Sequence, residues 1–218
     1  MIRVLIADDQ HLMRRALEHF LAQAEDIDVI GGADDGVQAV ELARELRPDV
    51  VLMDMQMPRM DGVEATAAIT SELDDVRVLA ITTFTSEEYL IPALQAGASG
   101  YLLKDASPDE VTEGVRRVHR GDAVFSASVA HDLIAAATAS PARSRTAEEL
   151  PAHEKLTERE LQVVQELAEG RSNAEIAEAL FLAEATVKGH LGKIMDKWQV
   201  RDRVQLLLKA AQTGLVTL

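Results

Sequence analysis

The chain contains no cysteine, which excludes disulfide bonds and every zinc site that needs cysteine ligands. No run approaches the roughly 18 apolar residues of a membrane helix, and Asp8 and Asp9 interrupt the apolar N-terminus, so we expect neither a membrane segment nor an export signal. The phosphate-binding patterns GxGxxG and GxxxxGK[ST] are also absent. These absences fit a reducing cytoplasm and disfavour a nucleotide-binding enzyme.

The remaining composition is that of an ordinary globular protein, with 47% hydrophobic and 27% charged residues in a chain long enough for two modest domains. The net charge of −15 is unevenly distributed. Residues 1–125 contain 11 Lys and Arg against 24 Asp and Glu, a net charge of −13, whereas residues 184–218 contain 6 against 3, a net charge of +3. This asymmetry indicates two parts with different partners.

Residues 1–125 alternate short apolar runs with amphipathic stretches, a pattern that predicts five βα units. The predicted strands are Arg3–Ala7, Ile27–Ile30, Val50–Met53, Val76–Ile81 and Gly100–Leu103. The predicted helices are His11–Ala24, Val37–Leu46, Gly62–Leu73, Glu87–Gln95 and Pro108–His119. Because the strands are continuous apolar runs, we expect a parallel sheet with helices on both faces.

The rest of the chain carries only helical patterns. A helix is predicted over Ala127–Ala139, followed by a linker over Ser140–His153 that is rich in proline, serine and threonine. Four further helices are predicted over Glu158–Glu169, Asn173–Leu180, Glu184–Lys197 and Arg203–Thr213. The expected domain limits are therefore 1–121, 122–153 and 154–218.

Polar side chains stand where the predicted strands end: Asp8 and Asp9 after the first, Asp54 after the third, Thr82 after the fourth and Lys104 after the fifth. Ligands of open parallel sheets bind outside the carboxyl ends of the strands. Three carboxylates there repel one another, and a hard divalent cation such as Mg²⁺ would relieve this. One carboxylate could then be a nucleophile that forms an aspartyl phosphate, with the cation and Lys104 neutralising the transferred oxygens.

Four separated motifs resemble the receiver domain of response regulators over about residues 1–121: ADD at 7–9, MDMQMPRMDG at 53–62, ITT at 81–83 and GYLLKD at 100–105. The resemblance implies a doubly wound five-stranded parallel sheet of flavodoxin-like order 2-1-3-4-5. It implies that Asp54 is the phosphoacceptor and a Mg²⁺ ligand. Asp9 would bind Mg²⁺ directly, Asp8 would act through water, and the backbone carbonyl of Gln56 would complete the protein ligands.

The same resemblance implies that Thr82 and Tyr101 form a switch pair, that Thr82 donates to the phosphate, and that Lys104 binds it. Taken singly, these residues have ordinary interpretations: Thr82 suits a strand, Tyr101 suits a core, a lone lysine usually lies at the surface, and an Asp pair after a strand often caps a helix. Their joint placement at four strand ends favours the receiver. Two alternatives remain, a doubly wound hydrolase or nucleotide-binding protein, and a regulator that uses this domain only to dimerise.

Two short helices joined by a tight turn, the second bearing cations, are typical of a helix-turn-helix. LTERE at 156–160, GRSNAEIAEALFL at 170–182 and TVKGHLGKI at 186–194 resemble the four-helix DNA-binding domain of NarL/FixJ (LuxR-type) regulators. This resemblance implies that Glu184–Lys197 is the recognition helix. Lys188 would reach base edges, and Thr186, Lys193 and Lys197 would bind phosphates.

Some residues depart from that pattern. Thr157 and Glu160 have capping-box spacing, and Asn173 is expected to cap the second helix, but Ala183 stands where a Ser or Asp cap is common. Gly189 and Gly192 lie on the expected exposed face, so we expect low specificity per monomer, compensated by dimerisation. The alternative is an all-helical packing domain whose lysines form a solvated face.

Together the two resemblances imply a response regulator in which phosphorylation of Asp54 controls dimerisation and sequence-specific DNA binding. It would be no enzyme beyond its own phosphoryl transfer and dephosphorylation. The implied partners are a sensor histidine kinase, double-stranded DNA, a second copy of the chain and RNA polymerase, in the cytoplasm. Acidic receiver surface is expected to disfavour DNA in the inactive state.

Overall fold

The computed structural model describes residues 1–83, 87–125, 155–169 and 171–216. The chain divides into two compact units, Met1–Asp132 and Leu133–Leu218. The helix predicted over Ala127–Ala139 and the linker predicted over Ser140–His153 lie outside the described residues. Within the described ranges, no helix is both long enough and apolar enough to cross a membrane.

The first unit alternates strands and helices. Its strands are β1 Ile2–Ala7, β2 Ile27–Ala33, β3 Val50–Asp54, β4 Arg77–Thr82, β5 Gly100–Leu103 and β6 Val124–Phe125. Its helices are α1 His11–Leu21, α2 Gly36–Leu46, α3 Gly62–Glu72, α4 Glu87–Gln95 and α5 Pro108–His119. All strands pair in parallel, in the order β2-β1-β3-β4-β5-β6.

The predicted order 2-1-3-4-5 is confirmed, but the predicted number of five strands is wrong. The sixth strand lies within 122–153, where the sequence predicts an extra helix and a linker. After α5 the chain turns at Gly121, whose φ is +84°, and Val124 and Phe125 then pair with Gly100 and Tyr101 of β5. A strand of two residues is too short to show a periodicity, and its pairing with β5 depends on how the chain turns after α5.

The sheet is buried on both faces, as its continuous apolar strands require. All five residues of β3 are buried. Leu17 and Leu21 of α1 and Val115 of α5 pack in one cluster with Val4 of β1. Helices α2, α3 and α4 contact one another in that order. Because helices cover both faces of the sheet, polar side chains that bind a ligand are expected at the carboxyl ends of the strands.

The second unit is helical in its described part, with α6 Glu158–Ala168, α7 Asn173–Ala179, α8 Glu184–Trp198 and α9 Arg203–Gln212. Val187, Leu191 and Ile194 of α8 are buried, as predicted, and Trp198 is only 2% exposed. These residues pack with Val163, Leu167, Ile176 and Leu206 of the other three helices. The inner face of α8 thereby anchors the helix in the core of the second unit.

The helix starts mostly follow the predicted caps. Thr157 and Glu160 form the predicted capping box of α6. The cap predicted for α7 is one residue off, because Ser172 caps it and Asn173 is its first residue. Asn173 instead accepts a hydrogen bond from Arg203, at 3.0 Å. Ala183 gives α8 no side-chain cap, as expected.

Candidate functional site

Three carboxylates meet at the carboxyl end of the sheet. Asp8 and Asp9 follow β1 and Asp54 ends β3, and these strands are neighbours. One oxygen from each carboxylate lies within 4.8 Å of the others. Asp8 and Asp54 are buried, whereas Asp9 is exposed. The structure therefore brings the three predicted acids into one pocket that opens at Asp9.

Lys104, which follows β5, reaches into the same pocket. Its Nζ lies 2.8 Å from Asp8 Oδ2 and 2.8 Å from Asp54 Oδ2, and its side chain is only 3% exposed. The three carboxylates and this single ammonium leave a local charge of about −2, which a divalent cation would balance. Asp8 Oδ2 is buried and pairs with Lys104 Nζ, and a carboxylate oxygen has the lone pairs to accept a further partner. These donors fit Mg²⁺, which prefers carboxylate oxygens and water.

Burial and pairing compete in setting the protonation of this pocket. Burial raises the pKa of Asp54 above its ordinary value, by more than the hydrogen bond from Lys104 lowers it. Burial alone would lower the pKa of Lys104, but its ion pairs with Asp54 and Asp8 outweigh burial and raise it. Lys104 therefore stays charged, while Asp54 is a carboxylate whose negative charge is costly to keep without a cation.

Backbone groups of the adjoining loops orient the carboxylates. Gln56 donates its N–H to Asp54 Oδ1 at 3.2 Å, and Gln10 donates its N–H to Asp8 Oδ1 at 2.8 Å. The loop after β3 returns so closely that a Cβ on Gly62 would lie 2.0 Å from the Asp54 carbonyl oxygen. Glycine at position 62 is therefore required to keep this loop folded over Asp54.

The two predicted switch residues lie beside the pocket, in the interior. Thr82 and Tyr101 are both 0% exposed, and their side chains share a hydrogen bond. Burial raises the pKa of Tyr101 to about 12, so its hydroxyl stays protonated at neutral pH. The structure therefore brings the two predicted switch residues into contact.

Two arginines near the pocket were not anticipated from the sequence. Arg59 forms an ion pair with the buried Asp35, which joins the loop after β3 to the start of α2. Arg14 extends from α1 to the carbonyl oxygen of Asp8, at 2.5 Å. A signal was present for Arg14, because it lies three and seven residues before Leu17 and Leu21, the buried residues of α1.

In the second unit, α8 presents three of the four predicted DNA-binding side chains to solvent. Thr186, Lys188 and Lys193 are exposed. Lys197 differs, because its Nζ lies 2.6 Å from Glu160 Oε2 and donates to the Lys155 carbonyl oxygen at 3.1 Å. Its charge is already compensated, so the predicted phosphate contact of Lys197 has to compete with this ion pair.

Two glycines, Gly189 and Gly192, leave gaps between the side chains of the outer face of α8. A Cβ at Gly189 or at Gly192 would meet no atom within 4 Å. The turn before α8 contains Phe181, which is 95% exposed with a φ of +54°. Arg159 donates to the carbonyl oxygen of Leu180 at 2.7 Å and thereby anchors this turn to α6. The hydrogen bond from Arg159 therefore ties α6 to the turn between α7 and α8.

A parallel sheet with an acidic pocket at its carboxyl edge, followed by a helix-turn-helix unit, is the architecture of a DNA-binding response regulator. Residues 4–116 match the family described as response regulator receiver domain, and residues 154–210 match the bacterial regulatory proteins of the luxR family. The chain belongs to the LuxR-type (NarL) response regulators. It is a two-component response regulator that regulates transcription.

The similarity to known relatives extends over the whole chain. It is 41% identical to the transcriptional regulatory protein LiaR of Bacillus subtilis, covering 99% of this chain and 100% of that protein. It is 37% identical to the response regulator VraR of Staphylococcus aureus, covering 99% of each. The crystal structure of the response regulator ChrA of a heme-sensing two-component system is 33% identical, with a TM-score of 0.54 and coverage of 99% of this chain and 98% of that chain.

Proposed function

We propose that Asp54 is the phosphoacceptor of a magnesium-dependent receiver, and that its phosphorylation controls dimerisation and sequence-specific DNA binding. The observation that carries this proposal is the contact of Lys104 Nζ with both Asp8 and Asp54, at 2.8 Å each, beside the exposed Asp9. Asp54 and Asp9 would bind Mg²⁺ directly, Asp8 would act through water, and the carbonyl of Gln56 would complete the set. The bound cation supplies positive charge to the transferred phosphoryl oxygens.

In the reaction that we propose, a carboxylate oxygen of Asp54 attacks the phosphorus of a phosphohistidine or of a small phosphodonor. The bond from phosphorus to the leaving group breaks, and the leaving group keeps the electron pair and takes up a proton. Lys104 neutralises the phosphoryl oxygens. Thr82 then donates its hydroxyl to the phosphate and draws Tyr101 with it, which biases the receiver between two states. Hydrolysis of the acyl phosphate resets the receiver.

For the output we propose that two recognition helices bind two half-sites in a dimer. Lys188 reaches base edges, while Thr186 and Lys193 hold phosphates. We place the DNA-binding domain at 154–218, supported by the start of α6 at Glu158, and we extend the receiver beyond the expected limit of residue 121 to include β6, which ends at Phe125. The acidic receiver, with a net charge of −13 over residues 1–125, disfavours DNA until it is phosphorylated.

The proposed partners are a sensor histidine kinase, double-stranded DNA, a second copy of the chain and RNA polymerase. Because the DNA partner in a bacterium is the chromosome, we propose a cytoplasmic location. The receiver acts chemically only on its own phosphoryl group. Phosphatase turnover of added substrates would instead favour a hydrolase.

The test is phosphorylation of the full chain with acetyl phosphate and Mg²⁺, followed by DNA selection with and without a beryllofluoride phosphate mimic. We expect one phosphoryl group on Asp54, located by mass spectrometry, and tighter DNA binding with the mimic. Asp54→Asn is the matched control, because it keeps the shape and loses the nucleophile. Modification of Asp54→Asn at the same rate, or DNA affinity that ignores the mimic, would contradict the proposal, and the second result would favour a receiver used only to dimerise.

A further inference from the structure

Arg14 is a nearly buried cation that contacts the backbone of Asp8, one of the three pocket acids. It belongs to α1, and its side chain is only 11% exposed. Its Nη1 donates to the backbone carbonyl oxygen of Asp8 at 2.5 Å and lies 3.5 Å from that of Ala33. Its Nη2 lies 2.5 Å from Oδ1 of Asp34, which is itself 65% exposed. One guanidinium thus joins the end of β1 to the end of β2.

Arg14 contacts the backbone where the pairing of β1 with β2 ends. The β1–β2 ladder ends at the pair Ala7 and Ala33, and the last bond there runs from the Asp8 N–H to the Ala33 carbonyl, at 3.1 Å. Beyond this point no strand is available to the Asp8 carbonyl, so Arg14 satisfies it with a charge-assisted hydrogen bond. The backbone that carries both Asp8 and Asp9 is thereby held by a side chain.

The sequence of β2 leaves space for this side chain. A Cβ on Gly32 would lie 3.1 Å from Arg14 Cδ and 3.3 Å from Arg14 Nε. An alanine at position 32 would therefore require the Arg14 side chain to shift by a few tenths of an ångström from its position at the strand ends. Gly31 is equally tight, but its Cβ would meet Leu46 and Leu5 instead. The neighbouring glycines consequently offer a matched pair of variants.

We propose that Arg14 is a positioning residue that fixes the direction of the Asp8 and Asp9 carboxylates by holding the backbone between them. This inference rests on the proposed receiver function, because it assumes that these carboxylates bind Mg²⁺. Arg14 acts through the main chain of Asp8, as groups behind metal ligands commonly do. Its contribution is geometric, because Asp34 already compensates its charge.

The test measures Mg²⁺ binding to the full chain by titration calorimetry, in Arg14→Ala, Arg14→Lys and wild type. We expect both variants to bind Mg²⁺ about tenfold more weakly, since lysine keeps the charge but cannot reach the carbonyl and Asp34 together in a planar fork. Phosphorylation of Asp54 by acetyl phosphate should recover at saturating Mg²⁺. Arg15→Ala is the control, because Arg15 is the next residue, is 67% exposed and pairs with Glu18.

A second pair of variants keeps Arg14 itself. Gly32→Ala should weaken Mg²⁺ binding in the same direction as Arg14→Ala, whereas Gly31→Ala, which crowds Leu46 and Leu5, should leave it close to wild type. If Arg14→Ala does not fold, this pair decides the question. Wild-type affinity in Arg14→Lys, or equal effects of the two glycine variants, would overturn the positioning role. Failure of wild type to bind Mg²⁺ or to be phosphorylated would instead overturn the receiver function.

Discussion

Asp26, in the turn before β2, accepts two hydrogen bonds from the guanidinium of Arg116 in α5, at 2.8 and 2.7 Å. These bonds lower the pKa of Asp26 from 3.8 to about 2. A carboxyl whose pKa is lower in the folded state stabilises the fold above its unfolded pKa, and that stabilisation is lost as the pH falls through the folded value. The ion pair therefore stabilises the fold at neutral pH, and this stabilisation is lost as the pH falls to about 2.

We predict that Asp26→Asn is less stable than wild type at neutral pH and that this difference shrinks between pH 3.8 and about 2. Urea unfolding followed by circular dichroism measures it. Asp28→Asn, an exposed aspartate in β2, is the control and should show a smaller effect. A difference that stays constant down to the lowest pH would show that the charge of Asp26 is not its source.

Lys193 and Lys197 both belong to α8, but Lys197 pairs with Glu160 whereas Lys193 is exposed to solvent. Burial raises the pKa of Glu160, but the hydrogen bonds from Lys197 and Thr157 together lower it by more. The pKa of Glu160 is therefore below its ordinary value, and the pair with Lys197 is ionised. Without Lys197, the carboxylate of Glu160, which is only 6% exposed, would lose its cation. Lys193 is exposed and free to meet phosphate.

We predict that Lys197→Ala lowers the unfolding free energy by about 1–3 kcal/mol, the cost of a lost charge-assisted hydrogen bond. Lys193→Ala should change stability by less than about 0.5 kcal/mol. It should weaken DNA binding and lower the salt dependence by about one phosphate contact. Urea unfolding and DNA binding over a salt series measure the two effects. If Lys197→Ala reduces the salt dependence as much as Lys193→Ala, the phosphate contact predicted for Lys197 stands.

At the scale of elements, α8 differs from α5, α6 and α7 in how it begins. Those three helices start with a reciprocal capping box, at Ser107, Thr157 and Ser172. Ala183, which precedes α8, has the extended backbone of a cap residue but no side chain that can accept a hydrogen bond. Helix α8 therefore begins with amide groups from which a phosphate oxygen could accept hydrogen bonds.

We predict that Ala183→Ser stabilises the second unit by about 1 kcal/mol, because a serine oxygen would accept from the first turn of α8. Trp198 fluorescence during urea unfolding measures it, since this tryptophan ends the same helix. Ala185→Ser, at an exposed position in the first turn, changes the same atoms without forming a cap and should give no gain. Equal stabilisation by both variants would count against the missing cap.

At the scale of the whole molecule, each of the two compact units contains a feature by which it can be followed separately. The acidic pocket lies in the first unit, and the sole tryptophan lies in the second. A ligand that binds only folded protein stabilises the unit that it binds, by about 2.7 kcal/mol at a hundred times its Kd. Mg²⁺ should therefore act on one unit alone.

We predict that Mg²⁺ raises the unfolding temperature of the first unit, seen by circular dichroism, and leaves the Trp198 fluorescence transition unchanged. Asp9→Asn should abolish the shift, because it removes the exposed carboxylate of the pocket. A Trp198 transition that moves with Mg²⁺ as far as the first would show that the units do not unfold separately.

Patterns among neighbouring residues were sufficient to predict most of the secondary structure of this protein. Apolar runs and helical spacing predicted β1 to β5 and every helix that the structure describes, because strand and helix periodicities are written in neighbouring residues. Parallel strands end at one edge of a sheet, so the sequence alone predicts that Asp8, Asp54 and Lys104 meet there.

Folding in three dimensions decided the remainder. Three contacts could not be predicted from the residues next to them in the sequence. They are the pairing of β6 with β5, the ion pair of Lys197 with Glu160, and the hydrogen bond from Arg14 to the Asp8 carbonyl. A long side chain can bind whatever the fold brings within several ångströms. Its partner therefore depends on how distant segments pack, and a one-dimensional periodicity does not record that packing.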